Sequence, residues 1–377
     1  MKQQYCFSAP GRTEISGNHT DHQHGCVLAA AVNLETVAEV TLNGTEIIRV
    51  SSEGYAPVEI DLRDLSIHEE EKNTTAALIR GVAASFAKRG AQLQGFDAKV
   101  RSTVLPGSGL SSSAAFEVLI GTICNELFFD KGLTAVEIAQ IGQWAENVYF
   151  GKPCGLMDQT ASSVGGMVFI DFADPANPVV EKLDFDFGKA GHALCIIDSG
   201  ADHADLTDEY AAIPAEMKAV ARLLGKEVLR DVPEAEFFAA IPQIRGKVPD
   251  RAILRAVHFY QENKRVQAQA QALRENDFAE FLRLTGESGR SSWMYLQNIT
   301  PAGAIDHQEV AVTLALCDSL LNGRGAFRVH GGGFAGTVQA FVPLDLLNAF
   351  KTGIESVLGA DACHVLTIRP EGGIRRV

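Results

Sequence analysis

Residues 96–123, FDAKVRSTVLPGSGLSSSAAFEVLIGTI, decide how the chain is read. FDAKVRSTV (96–104) alternates apolar and polar side chains, the period of a half-buried strand. Beyond the loop, Ala115, Val118, Leu119 and Ile123 recur at helical spacing, so the stretch is a strand, a glycine-serine loop and a helix in succession. Gly107 and Gly109 allow backbone N–H groups to converge, and a helix opening among serines adds positive potential, which together suit an anion such as phosphate. No Lys-Ser/Thr pair follows the last glycine, as a Walker A loop requires, and the third glycine of a dinucleotide fingerprint is missing. Taken alone, a serine-capped helix after a tight turn would give the same pattern.

Working outward, two more glycine-rich stretches flank this unit, GRTEISGNHTDHQHG at 11–25 and HGGGFAG at 330–336. After the first, VLAAAVNLETVAEVTL (27–42), EIIRV (46–50) and VEIDL (58–62) read as strands separated by turn residues. Thr134 and Glu137 form a capping box opening a helix that carries Trp144 and Glu146 and stops near Gly151-Lys152-Pro153, with Asp158 in the turn beyond. ALCIID (193–198) is a buried strand leading into helical periodicity over 207–290 and again over 309–321. AFRVH and TVQAFVP flank the third glycine stretch as a hairpin.

The chain has 377 residues, 46% hydrophobic and 21% charged, and a formal charge of −14, a composition of folded rather than disordered protein. Its length suggests two domains, with residues 1–192 and 193–377 as the expected division. Acidity and the want of a basic stripe argue against nucleic acid or an anionic membrane as partner. Seven scattered cysteines without a C-x-x-C pattern indicate neither a disulfide framework nor a zinc site. Neither a leader-like apolar segment nor a membrane-length apolar run is seen, so a cytoplasmic protein, a monomer or weak homo-oligomer, is expected.

His19, Asp21, His22 and His24 lie close together and are ligand types for a metal, but the glycine-bounded loop favours a polar turn or one that reads sugar hydroxyls. Glu146 and Asp158, twelve apart, could face one cleft, one holding a cation and the other taking a proton; spacing alone equally describes a solvated helix Glu and a turn Asp.

Taken together the motifs resemble the GHMP small-molecule kinases, and among them the galactokinase family, over essentially the whole chain. GRTEISGNHTDHQHG is similar to the signature G-R-V-N-L-I-G-E-H-T-D-Y-x-x-G, PGSGLSSSAA to the family's phosphate loop, PCGLMDQ to the segment with the proposed base, and VHGGGFAGTVQAF to the closing motif. The resemblance implies a two-domain α+β fold with mixed and antiparallel sheets and the active site in the cleft between the domains. It implies an ATP-dependent sugar 1-kinase, most simply for D-galactose, working by direct in-line transfer. ATP would be held by Gly107, Ser108, Gly109, Leu110, Ser111, Ser112, Ser113 and Ala114, and Mg²⁺ by Ser113 and Glu146. Asp158 would be the base with Arg12 beside it, and Asn18, His19, Asp21, Gly155 and Tyr210 would contact the sugar.

The departures bear on the substrate. Where the family pattern has Glu this chain has Asn18, and where it has Asn, Ile, Tyr, Thr and Gly the chain has Glu14, Ser16, His22, His330 and Ala335. An amide at 18 facing the sugar near C6 would tolerate a carboxylate that Glu repels, which makes galacturonate or another C6-modified hexose the alternative. Against it, this loop gains no Arg or Lys to pair with such a carboxylate. A non-catalytic sugar- and ATP-responsive regulator is the other reading, and the intact SSSAA loop, Glu146, Asp158 and Arg12 speak against it.

Overall fold

The computed structural model describes residues 3–104, 109–201 and 206–376. Its first sheet grows from two long antiparallel strands, β1 (Gln4–Ser16) and β2 (Cys26–Leu42). Register shifts between Pro10 and Arg12 and between Glu14 and Ser16 bend β1, and such bulges re-aim the side chains beside them. Residues 11–16, which read as glycine loop, are therefore strand. Gly11 belongs there because a Cβ would press, at 3.1 Å, on the carbonyl oxygen of Leu110 and on Val104.

β3 (Ile47–Ser52), β4 (Val58–Asp61) and β5 (Phe96–Ser102) extend the sheet in the order β2-β5-β3-β4, with only β3 and β5 parallel. Helices α1 (Thr75–Lys88), α2 (Ser112–Phe128) and α3 (Ala135–Ala145) cover one face. Phe7, Val40, Ile48 and Phe96 from the strands meet Val82, Phe86, Leu119 and Ile123 from the helices. The expected capping box is formed at α3, Thr134 and Glu137 each bonding the other's backbone N–H. α3 runs out through a π-helical turn, Glu146–Phe150, to Gly151. α4 (Met157–Val164) follows, then β6 (Met167–Asp171), which pairs with the near half of β2, and β7 (Val179–Leu183).

β8 (His192–Asp198) begins a second sheet. The helical run beyond it is four helices rather than one: α5 (Thr207–Leu223), α6 (Glu234–Ile244), α7 (Asp250–Arg274) and α8 (Phe278–Ser291). The breaks fall where helical periodicity is blind to local chemistry: at Gly225, at Pro233 and Pro249 ahead of α6 and α7, and at Asn276 in a left-handed turn. α9 (Glu309–Leu321), β9 (Ala326–His330), β10 (Thr337–Pro343), α10 (Leu347–Leu358) and β11 (Cys363–Leu366) complete the second sheet, antiparallel in the order β11-β8-β10-β9, with α9 and α10 on one face. β9 and β10 form the expected hairpin around the third glycine stretch.

The last strand, β12 (Ile374–Arg376), leaves the second sheet's half of the chain and pairs antiparallel with β1, Ser8 opposite Ile374 and Cys6 opposite Arg376. The two sheets share one apolar body: Ile15, Leu28 and Ala30 from the first touch a cluster with Leu194, Ile196 and Phe341 from the second and Val266, Leu273 and Phe281 from α7 and α8. Along α7, Arg255, His258, Glu262, Arg265 and Gln269 recur every three or four residues and are buried. This polar stripe backs the turn after β1: Ser16 donates to Gln269 (2.5 Å), Gly17 N–H to Glu262 (3.3 Å), and His258 to the carbonyl of Asn18 (2.9 Å). Among the described residues, no helix is long and apolar enough to cross a membrane.

Candidate active site

The bulge in β1 aims Arg12 at the first turn of α4, where Asp158 sits, a position in which a helix N-terminus favours negative charge. Arg12 holds Asp158 by two parallel bonds, Nε to Oδ1 at 2.7 Å and the outer nitrogen to Oδ2 at 2.5 Å. Its third nitrogen donates to the carbonyl of Gly109, and its backbone N–H to the carbonyl of Leu110 at 3.0 Å. One arginine thus ties β1, the base of the glycine-serine loop and α4 together. Burial alone would raise the Asp158 pKa; the Arg12 charge and hydrogen bonds, a bond from Ser111 and the charge of Lys152 outweigh it and hold the carboxyl below its usual range. The carboxylate remains 30% exposed, on the wall of the cleft.

Gly107 and Ser108 lie outside the described residues. Gly109 enters the helix with a left-handed φ of +71°, and Ser111 follows at φ 54°, a conformation a non-glycine residue rarely adopts and one that turns the backbone into the N-terminus of α2. Leu110 and Ala114 are buried under the loop, while Ser112 and Ser113 are half-buried in the first turn. Among the described residues, the N-cap Ser111 makes no side-chain cap bond to α2, which leaves its first N–H groups their capacity for an anion.

Behind Ser113, Glu146 accepts its hydroxyl at 3.4 Å and the amide of Gln159 at 2.9 Å. The same Gln159 amide nitrogen donates to Glu117 at 2.9 Å, bridging two carboxylates. Burial, then the charge of Glu146, drive the Glu117 pKa well above its normal value, and among the described residues its Oε1 has no hydrogen-bond partner. Sequence reading missed Glu117 and Gln159, although the signals existed: Glu117 is one helical turn after Ser113 and Gln159 adjoins Asp158.

The turn after β1 supplies His19 and Asp21, whose charge reaches Arg12. The His19 Nε2 pairs with the carbonyl of Gly332 at 3.0 Å, so it carries the ring proton, and Nδ1 is a buried acceptor without a partner among the described residues. Burial and the neighbouring His22 lower the His19 pKa to about 3, so the ring is neutral and that acceptor persists at physiological pH. Asp21 accepts the N–H of His22 at 2.9 Å with one oxygen and lays the other over the Cα of Gly155, in the space a Cβ would fill. Tyr210 lines Gly332 and donates to the carbonyl of Gly333 at 2.9 Å.

Asn18, expected against the sugar, is 0% exposed beneath the third glycine stretch. Its amide donates to the carbonyl of Gly331 (2.5 Å) and to Glu14 (3.3 Å), and its oxygen accepts from Asn298 (2.8 Å) and Ser292 (3.3 Å). Glu14 stands where the family pattern has Asn and pairs at 2.5 Å with Arg328, itself fully buried. The amide at 18 completes that network.

The GHMP kinase N-terminal domain matches residues 77–166, and the galactokinase galactose-binding signature matches residues 1–42. Galactokinase of Streptomyces coelicolor is 31% identical over 379 residues, 98% of this chain and 94% of that one. The chain belongs to the galactokinase family. The fold agrees: the Lactococcus lactis galactokinase complexed with galactose matches with a TM-score of 0.84 at 24% identity, covering 99% of this chain and 95% of that one. L. major mevalonate kinase in complex with R-mevalonate matches with a TM-score of 0.67 at 15% identity, covering 99% and 100%.

Proposed function

We propose that the protein is an ATP-dependent galactokinase that transfers the γ-phosphoryl group of ATP directly to O1 of D-galactose. The observation that carries this reading is the Arg12–Asp158 pair, bonded to the turn that opens α2 and with its arginine within the field of Asp21, which lies over Gly155. Family membership supports ATP as donor and a sugar as acceptor.

In this reading the N-terminal N–H groups of α2 and Ser111 to Ser113 cradle the phosphates, within the wider span Gly107 to Ala114. The donor set behind them suits Mg²⁺, a hard cation satisfied by few protein oxygens plus phosphates and water: Glu146 and Ser113 offer oxygens, and Glu117 leaves a buried oxygen unpaired nearby. Ser113 and Glu146 would hold the ion, which neutralises charge on the transferring group.

His19 Nδ1 accepts a sugar hydroxyl and Asp21 another, with the bare backbone at Gly155 allowing close approach and Tyr210 closing the rim. O1 then lies against Asp158. A carboxylate held so acidic is a poor base toward a resting hydroxyl. In a loose transition state the hydroxyl becomes acidic as its oxygen bonds to phosphorus, and Asp158 takes the proton late. Arg12 keeps that carboxylate ionised and oriented.

The case for a C6 carboxylate rested on Asn18 facing the sugar, and its burial removes that ground. The test is Mg·ATP-dependent ADP release against D-galactose, D-galacturonate, N-acetylgalactosamine, glucose and arabinose. Preference for galactose is expected; preference for galacturonate would redirect the reading, and silence with all five would favour a sugar-responsive regulator. Gly155→Ala puts a Cβ into the Asp21 carboxylate and should raise KM for the sugar about tenfold or more, with KM for ATP little changed. Equal effects on both substrates would detach Asp21 and Gly155 from the sugar.

A further inference from the structure

We propose that His330 is a positioning residue that sets the phosphate loop over the Arg12–Asp158 pair, an inference that rests on the phosphoryl-transfer reading above. His330 ends β9 and is 2% exposed. The N–H of Glu14 points at its Nε2 at 3.3 Å, and since an N–H only donates, Nε2 is the acceptor and the ring proton sits on Nδ1. The Thr13 hydroxyl also meets Nε2 at 3.0 Å, and Nδ1 donates to the Thr337 hydroxyl at 2.8 Å. The ring therefore joins β1 to β10 at the point where the two sheets meet.

Gly109 lies against this ring. A Cβ on Gly109 would come 3.1 Å from His330 Nδ1, 3.1 Å from the Thr337 hydroxyl and 3.2 Å from the ring Cε1. Gly109 is also the residue whose carbonyl receives Arg12, while the next carbonyl, of Leu110, receives the Arg12 N–H. Imidazole on one side and guanidinium on the other grip the same turn at the entrance to α2. The ring's own hydrogen bonds go to Thr13, Glu14 and Thr337, while His19 bonds the backbone two residues further on, at Gly332, so the ring acts first on the Gly109 turn and on the nucleotide's phosphates. Residue 330 belongs to the second sheet and Arg12 to the first, so the imidazole sets the alignment of donor and acceptor across the cleft.

His330→Ala should let the turn settle away from Asp158. Steady-state kinetics with galactose, and calorimetric binding of ADP, should give a kcat/KM for ATP and an ADP affinity lowered about tenfold, with KM for the sugar changed by no more than about twofold. His330→Gln can offer an amide oxygen to the Glu14 N–H and should recover most of the loss. Melting temperatures of both variants identify general loosening. Unchanged nucleotide parameters, or a matched loss for ATP and sugar accompanied by a falling melting temperature, would overturn the assignment. Wild-type protein that neither binds ADP nor releases it in response to any sugar would overturn the phosphoryl-transfer reading, and this proposal with it; active wild type with unaffected variants overturns the proposal alone.

Discussion

Asp158→Asn should retain sugar and nucleotide binding and lose turnover by about 10³-fold, the scale of a positioned general base. The amide is isosteric and keeps an oxygen for Arg12, so the fold of the site survives, but it cannot take the O1 proton. Binding of galactose and of ADP by calorimetry, with single-turnover phosphoryl transfer, separates the two effects. A folded variant within tenfold of wild type would remove Asp158 from the role of base. The pH profile carries a second check. Because Arg12 holds the Asp158 pKa below its ordinary value of 3.8, the carboxylate stays ionised down to acid pH, and its ionisation should impose no fall in kcat/KM between about pH 5 and 8. Arg12→Met removes the charge that opposes burial, so the Asp158 pKa rises and an acid limb should move upward into that window.

Arg328→Ala should be the most destabilising single change near the site. Arg328 is 0% exposed and donates to Glu14 at 2.5 Å and to the carbonyl of Ile15 at 3.0 Å. Removing one member of a buried ion pair strands the other and costs about 3–5 kcal/mol. The Glu14 pKa is already raised, burial outweighing Arg328, and loss of the arginine raises it further. A carboxyl whose folded pKa exceeds its unfolded value of about 4.5 favours the folded state when protonated, and that contribution fades as pH climbs through the folded pKa. The deficit of the variant against wild type should thus be smaller at pH 5 than at pH 8, by denaturant titration. An equal deficit at both would mean that Glu14 finds another partner.

These residues also mark how far the sequence could be read. The strand–loop–helix unit, the capping box at Thr134 and the β9–β10 hairpin were legible because each is fixed by neighbours in sequence. Residues 11–16 were not, since a strand with a glycine and polar side chains at Arg12, Thr13, Glu14 and Ser16 lacks alternation; its polar groups are buried against partners hundreds of residues away, Arg328 and His330 among them. The stripe on α7 hid for the same reason, being polar in sequence and buried in the fold. The surroundings of Asn18 were hidden because a motif aligns positions and not environments: its amide is buried among Glu14, Gly331, Ser292 and Asn298, most of them distant in sequence. The facing of Asp21 and Gly155 has no local signal at all, as it depends on how the turn after β1 meets the loop before α4.

The strand Ile374–Arg376 ties early and late parts of synthesis together. Until those residues leave the ribosome, the outer edge of Cys6–Ser8 shows unpaired N–H and carbonyl groups, an open template for other chains. The first half of the protein can collapse around its helices while still growing, yet its sheet stays unsealed until translation has passed the whole second half. A chain released before residue 374 keeps that edge bare, and loses as well the guanidinium of Arg376 on Glu35. Products that stop before residue 374 should therefore be held back by aggregation before any loss of catalytic parts is felt.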